Sequence, residues 1–412
     1  MNELNSLAEA AGYSVIGSLE QIRDSGSPYM IGRGKAEELA KLVKEKKAEK
    51  VIFNGDLGPV QAYNLAKLTG VEAIDRFQLI LEIFALRATT KEAQLQVRLA
   101  SLRYQLPKSR ESIRLAHSSE QPGFMGLGRY EVDIFIEDMK RKIAHVRNEL
   151  REIRRDRTQR RLRRREIGQI TVSLAGYTSA GKTSLFNRLT QETKAVDLGL
   201  FTTLSPSTRM VRFCGRKAML TDTVGFIDKL PIQLVEAFRS TLEETTYADA
   251  IILVLDLSDP VPEVKRKLQA SMSIIREIGA AAVPIIVALN KIDLLSSEQI
   301  VERQKILSDL LVMSVPVSAK TGLNIDELEK EVSEILGEYV EVIFRLHNTS
   351  ERASLIHGLY EEADSVNTVQ REEGSVDLVV KTSPRIAEKI RERVENAGGV
   401  LTSYKPSTGC LS

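Results

Sequence analysis

The chain has 412 residues, 42% hydrophobic and 28% charged, which excludes a disordered or fibrous protein and, at one to two hundred residues per domain, implies roughly three modules. No apolar run approaches the eighteen or so residues a bilayer span needs, no secretory leader is visible, and two cysteines, Cys214 and Cys410, are too few for a disulfide framework or a zinc site. A cytoplasmic protein with inert thiols is expected, and its net charge of +2 averages over very uneven segments.

Residues 1–90 alternate short apolar runs with amphipathic stretches. Strands are predicted over 13–16, 51–54 and 71–74, and helices over 35–47 and 59–68, which together make a small α/β domain. Gly32, Gly34 and Lys35 form a weak phosphate-loop hint that also reads as a turn. Residues 91–167 then carry two apolar seams. Leu95, Leu99, Leu102 and Leu106 recur at helical spacing up to Pro107, which should end that helix. Met139, Ile143, Val146, Leu150 and Ile153 repeat the rhythm, so an antiparallel helical hairpin is predicted. Its connection, 108–131, contains Gly123, Gly126 and Gly128 and is long for a structureless loop. With Phe124, Arg129 and Tyr130 it reads equally as a plain connector or as a tip placed against RNA.

The second helix is strongly basic. Between Lys140 and Arg165 stand thirteen Lys or Arg against Glu149, Glu152 and Asp156. Beyond Ile153 the seam positions become Arg157 and Arg160, so the helix either protrudes or leads into the next domain. A cationic helix of this kind suits nucleic-acid phosphates, with affinity that falls steeply with salt.

From residue 168 to 340 strands and helices alternate, with strands predicted over 170–175, 219–222, 251–256, 285–290 and 312–317. This is the pattern of a doubly wound, mainly parallel sheet. Gly176, Tyr177, Thr178, Ser179, Ala180, Gly181, Lys182 and Thr183, followed by Ser184, fit the phosphate-binding pattern between a strand and a helix. Backbone N–H groups and the helix N-terminus would face phosphate oxygens. Lys182 would hold the β- and γ-phosphates and Thr183 would ligate Mg2+. Phe201, Thr202, Thr203, Leu204 and Ser205 form a loop whose Thr203 can reach the metal while a γ-phosphate is present. Asp222, Thr223, Val224 and Gly225 end the next strand, bringing a carboxylate toward the metal and an N–H toward the γ-phosphate.

Asn290, Lys291 and Asp293 select the base. The Asp293 carboxylate can accept from guanine N1–H and the exocyclic amine, whereas adenine offers neither donor. Ser318, Ala319 and Lys320 complete the base pocket through a backbone N–H. Five elements in this order imply a GTP/GDP-binding, Mg2+-dependent GTPase. Residues 341–412, with a strand over 376–381 and a helix over 384–397, suggest a small α+β appendix.

These motifs and their flanking text resemble the HflX family of ribosome-associated GTPases. Ile74, Asp75 and Arg76, the run from Ile83 to Arg87, Gln96, Val97, Leu102, Tyr104, Leu106 and Pro107 look like that family's N-terminal signature. The run from Gly126 to Asp133 stands where the family has its glycine-rich loop. Tyr177 and Thr178, Leu200 with Phe201, Thr203 with Leu204, and Asp222 through Phe226 are close to its guanine-domain forms. The resemblance implies binding to the large ribosomal subunit and a role in dissociating, rescuing or recycling ribosomes; a monomer is expected. Two departures matter. Ser179 replaces the Asn of potassium-stimulated relatives, so a potassium site is not expected. Phe226 stands where Ras-like proteins place a water-orienting glutamine, so hydrolysis should be slow alone and faster with a partner. The alternative is a GTP-dependent RNA-processing or ribosome-assembly factor, for which no Cys pair or His cluster supplies chemistry.

Overall fold

The structure, a computed structural model, describes residues 2–21, 27–118, 127–191, 207–223, 225–226, 245–310, 313–337, 339–346, 352–371 and 374–407. Described residues up to Arg155 belong to one compact unit and those from Asp156 onward to a second.

The first unit opens with α1 (Asn2–Ala10), α2 (Arg33–Lys46), β1 (Lys50–Phe53), α3 (Pro59–Thr69), β2 (Glu72–Asp75) and α4 (Arg76–Arg87). The strands β1 and β2 pair in parallel, Val51 opposite Ala73, over a core that includes Leu39, Val43, Leu57 and Leu65. The strand predicted over 13–16 does not form. Val15 and Ile16 are exposed, and the Tyr13 hydroxyl instead donates to Glu82 at 2.6 Å beside Lys50. With no buried face, alternation alone does not make a strand.

Next come α5 (Lys91–Ser118) and α6 (Leu127–Ile167). Their seams meet as expected: Leu95, Leu99, Ile143 and Val146 are buried together, flanked by Leu102, Leu106, Leu150 and Ile153. An ion pair between Lys91 and Glu149 at 2.9 Å fits the antiparallel register. Pro107 does not end α5 but lies inside it. A polar lock around that turn explains why. Asp75, fully buried, caps α4 through Gln78 N–H at 2.9 Å and accepts from Leu57 N–H, Lys108 Nζ and the Tyr104 hydroxyl. Tyr104 stacks on Phe77 at 4.4 Å between centroids, and burial raises its hydroxyl pKa. These contacts on both sides of Pro107 offset the one helical hydrogen bond it forfeits.

Both helices extend into the predicted 108–131 connection. Only 119–126, with Phe124 and Gly126, lies outside the described residues. α6 is one helix of 41 residues, about 60 Å at 1.5 Å per residue. It carries the basic run to Ile167, directly before Gly168.

The second unit is built on β3 (Ile170–Gly176), α7 (Lys182–Thr190), β4 (Ser207–Phe213), β5 (Arg216–Asp222), β6 (Ala250–Asp256), α8 (Val261–Glu277), β7 (Ile285–Asn290), α9 (Ser297–Leu307), β8 (Ser314–Pro316) and α10 (Ile325–Ile335). The sheet order is β4-β5-β3-β6-β7-β8. All neighbours are parallel except β4 with β5, and β4 went unpredicted. Leu174, Ile252 and Ala288 pack on one face with α7 and α10; Ile251, Leu253 and Leu289 pack on the other with α8 and α9. Burial on both faces is why these strands read as continuous apolar runs. Among the described residues no helix is long and apolar enough to cross a membrane.

Cys214 sits at the β4–β5 turn with φ +47° and is disulfide-bonded. The expected inert thiol is therefore corrected there, and the reducing compartment it suggested loses that support; Cys410 lies outside the described residues.

A second sheet follows: β9 (Tyr339–Leu346), α11 (Arg352–Glu362), β10 (Ser365–Gln370), β11 (Val376–Thr382), α12 (Pro384–Asn396) and β12 (Val400–Ser407), in antiparallel order β10-β11-β9-β12. This is a split β-α-β arrangement. Val342, Phe344, Leu378 and Val380 face Leu359, Ile390 and Val394 of its helices. Three of its strands were not predicted.

Candidate functional site

In open α/β sheets, ligands bind at the carboxyl ends of the strands. The predicted motifs converge there, on the loops after β3, β5 and β7 and after the short β8. The loop from β3 to α7 turns where only glycine fits. A Cβ on Gly176 would lie 2.2 Å from the Val254 carbonyl, and one on Gly181 would lie 2.2 Å from Asn290 Nδ2. Both have positive φ, +135° and +92°, so geometry and space demand the same residue.

Lys182 opens α7 and is 7% exposed. Its ammonium donates to the Tyr177 carbonyl at 2.7 Å, and burial lowers its pKa to about 8 despite the nearby Asp222 charge. Thr183 Oγ1 lies 3.2 Å from Asp222 Oδ2. A hydroxyl and a carboxylate oxygen held this close, both hard oxygen donors, fit the first ligands and outer partners of Mg2+, which keeps most of its waters. Among the described residues no cluster of three His, Cys, Asp or Glu suits another metal. Ser184 follows in the first turn of α7.

The start of the Asp222 loop is clipped to the phosphate loop. Phe226 N–H donates to the Gly176 carbonyl at 2.9 Å, Thr178 N–H donates to the Phe226 carbonyl at 2.8 Å, and Tyr177 pairs with Phe226 as an isolated bridge. Thr223 Oγ1 donates to the Leu174 carbonyl at 2.6 Å. Gly225 thereby stands beside Lys182 and Thr178. The Phe226 ring is buried with Tyr177, Ile251 and Leu253, so position 226 presents no polar group. Phe201, Thr202, Thr203, Leu204, Ser205 and Val224 lie outside the described residues.

Asn290, 2% exposed, stitches the phosphate loop to the base loop. Its Nδ2 donates to the Ala180 carbonyl at 2.8 Å and its Oδ1 accepts from Ala319 N–H at 3.0 Å. Lys291, with φ +68°, turns its ammonium to Asp256 at 2.5 Å. Asp293 lies in a short 3₁₀ turn; its Oδ1 accepts from Ser318 Oγ at 2.7 Å, which leaves Oδ2 for a ligand. Ser318 and Ala319 are buried and Lys320 is exposed.

Sequence reasoning missed two groups. Arg266 and Lys267 of α8 lie 5.9 Å from the Tyr177 ring centre beside the phosphate loop, with Lys267 paired to Asp259 at 2.6 Å. Arg188 of α7 donates to the carbonyls of Ala319 and Lys320. Neither belongs to a pattern with fixed spacing, so nothing in the sequence alone could have singled them out.

Comparison with known proteins agrees with this geometry. Residues 1–85 match the family described as GTP-binding GTPase N-terminal, 87–164 the GTP-binding GTPase Middle Region, and 171–291 the 50S ribosome-binding GTPase family. The chain is 44% identical over 397 residues to the GTPase HflX of Thermofilum pendens, covering 95% of this chain and 93% of that one. It is 43% identical to the GTPase HflX of Methanocaldococcus jannaschii over 90% of each. Among solved structures, SsGBP in complex with GDP superposes with a TM-score of 0.50 at 31% identity, covering 81% of this chain and 94% of that chain. The chain belongs to the HflX family of GTPases.

Proposed function

We propose that this protein is a Mg2+-dependent GTPase that engages the large ribosomal subunit and acts in dissociating, rescuing or recycling ribosomes. The observation that carries the GTPase reading is the single network joining phosphate loop, Asp222 loop and base loop, built through Asn290, Thr183 and the backbone of Phe226. In this reading Lys182 holds the β- and γ-phosphates, Thr183 and Thr203 ligate Mg2+, and Asp222 orients the metal's waters. Mg2+ held by these residues would supply positive charge against the charge that develops on the phosphates. Asp293 reads the guanine edge.

The match of residues 171–291 to a 50S ribosome-binding family supports the ribosomal target. So does α6, on which Arg151, Arg154, Arg155 and Arg160 are exposed and suited to rRNA phosphates. With the Phe226 ring buried, that position supplies no group to orient the attacking water, and in this reading the partner provides it. GTP turnover by the free protein should be slow, and purified large subunits should raise it by about 10^2-fold or more, on the scale of partner-supplied groups in other GTPases. That stimulation should weaken as salt rises from 50 to 200 mM. Turnover unchanged by large subunits, with no co-sedimentation, would discard the ribosomal target and leave the nucleotide reading standing. Small subunits serve as the control.

The lowered Lys182 pKa gives a further test. A bound phosphate restores the ammonium's preference for its charged form, so nucleotide binding takes up a proton above the free-state value of about 8. GDP affinity is expected to be flat below that pH and to fall by up to about tenfold per pH unit above it. Calorimetry in buffers of different ionisation heat should show proton uptake near pH 8.5 and almost none near pH 6.5. No uptake at either pH would mean that Lys182 is already charged in the free protein.

A further inference from the structure

We propose that Arg188 is the positioning residue of the base loop, fixing one peptide group so that its N–H faces the guanine 6-oxo group. This rests on the guanine reading of the site given above. The loop after β8 offers three successive N–H donors. Ala319 N–H is taken by Asn290 Oδ1 at 3.0 Å and Thr321 N–H by Ser318 Oγ at 3.1 Å. Among the described residues Lys320 N–H has no hydrogen-bond partner. It is the donor the loop holds in reserve.

Arg188 decides which way that donor points. Its Nε donates to the Ala319 carbonyl at 3.3 Å and an Nη donates to the Lys320 carbonyl at 2.6 Å. The guanidinium lies against Gly322, where even a Cβ would approach its Cζ to 3.4 Å. The Ala319 carbonyl and the Lys320 N–H belong to one peptide group. No peptide in the described chain is cis, and in a trans peptide the two bonds point in opposite directions. Holding the carbonyl on the α7 side therefore turns the N–H to the other side. Asn290, through Ala319 N–H, and Asp293, through Ser318 Oγ, are held to the same loop. A guanine paired to Asp293 through N1–H and its amine presents its 6-oxo group next to N1, where only a donor is welcome.

α7 begins at the phosphate loop with Lys182 and reaches the base loop at Arg188. One rigid helix thus sets the spacing between the phosphate and base contacts. The charge-assisted fork suits two carbonyls at once, which a lysine point charge does not reproduce.

The test measures dissociation constants of GDP and of 2-aminopurine riboside 5′-diphosphate, which lacks the 6-oxo acceptor and with it the N1–H, for the wild type, R188A, R188Q and R188K, and compares the variant-to-wild-type ratio for each ligand. Arg188→Ala is expected to weaken GDP about tenfold and the analogue less than twofold. R188Q and R188K should fall between, because each keeps one donating nitrogen in place of the guanidinium fork. Arg188 is exposed, and thermal unfolding of each variant confirms that it is folded. Equal weakening of both ligands would overturn the proposal in favour of a general structural role, as would no change in GDP affinity. A wild type that binds no guanine nucleotide would instead overturn the underlying reading of the site.

Discussion

Replacing Asp293 by Asn is expected to reduce GDP affinity by about 10^3- to 10^4-fold and to create affinity for xanthosine diphosphate. The Ser318 hydroxyl donates to Asp293 Oδ1, and an asparagine keeps that oxygen. Only the outer oxygen becomes an NH2 group. The base edge would then meet a donor where guanine also brings its exocyclic amine, leaving two donors facing one another. Xanthine carries an oxygen at that position and restores the pair. A site built on hydrogen bonds to a ligand rejects the mismatched one by roughly 10^4-fold, and the wild-type preference should invert accordingly. Competition of both diphosphates against a fluorescent guanine nucleotide reads this out. Retained preference for GDP in the variant would show that another group reads the base.

What could be read from the sequence follows how many constraints each residue satisfies at once. Gly176 and Gly181 are legible because positive φ and a 2.2 Å approach both require glycine, and such positions recur at fixed spacing in a phosphate loop. The parallel strands were legible because burial on both faces leaves unbroken apolar runs such as 250–255. The hairpin seam was legible because Leu95, Leu99, Ile143 and Val146 recur at helical spacing and pack together across the two helices.

Failures have equally local causes. Pro107 was read as a stop because its lost hydrogen bond is visible in sequence, whereas the Asp75, Tyr104 and Lys108 lock that offsets it comes from 33 residues away. Of the text that carried the family resemblance, Asp75 and Tyr104 belong to that lock. Strand β4 alternates weakly and owes its place to pairing with β5. β10 is polar along most of its length, and β12 contains Pro406, which an edge strand tolerates. Arg188 is invisible because its partners are backbone carbonyls 131 and 132 residues away, and carbonyls carry no sequence signal.

The largest expected effect on stability comes from Arg216→Ala. Arg216 opens β5 and is 1% exposed. It donates to the carbonyls of Ser333, Leu336 and Gly337 at 3.1, 3.3 and 2.6 Å, which are groups that the end of α10 leaves without helical partners. The cation also complements the negative end of that helix, and burial lowers its pKa without a carboxylate in direct contact. Truncation leaves three carbonyls without their donor and a void beside Tyr339, whose ring centre lies 5.7 Å from the guanidinium. Hydrogen bonds from a charged donor contribute about 1.5–3 kcal/mol each, with strong non-additivity, so a loss of about 3–5 kcal/mol is expected.

The neighbours of Arg216 carry that loss into the C-terminal sheet. Lys217 N–H donates to Asp364 Oδ1 at 2.8 Å, Lys217 Nζ to the Tyr360 carbonyl at 2.8 Å, and Arg212 to the Asp364 carbonyl at 3.1 Å. Arg216→Ala should therefore lower the unfolding midpoint of both sheets together, by about 10 °C for a unit of this size. Arg216→Lys should recover only part of it, since an ammonium cannot reach three carbonyls at once. Arg216 is six residues from Asp222 along β5, about 20 Å at 3.3 Å per residue, so the folded variant should bind GDP as the wild type does. A change below about 1 kcal/mol in denaturant unfolding would mean that the α10 carbonyls find water once the guanidinium is gone, and that the cap contributes little. A loss of about 3–5 kcal/mol with GDP affinity unchanged in the folded variant would separate the residues that hold this fold together from those that read the nucleotide.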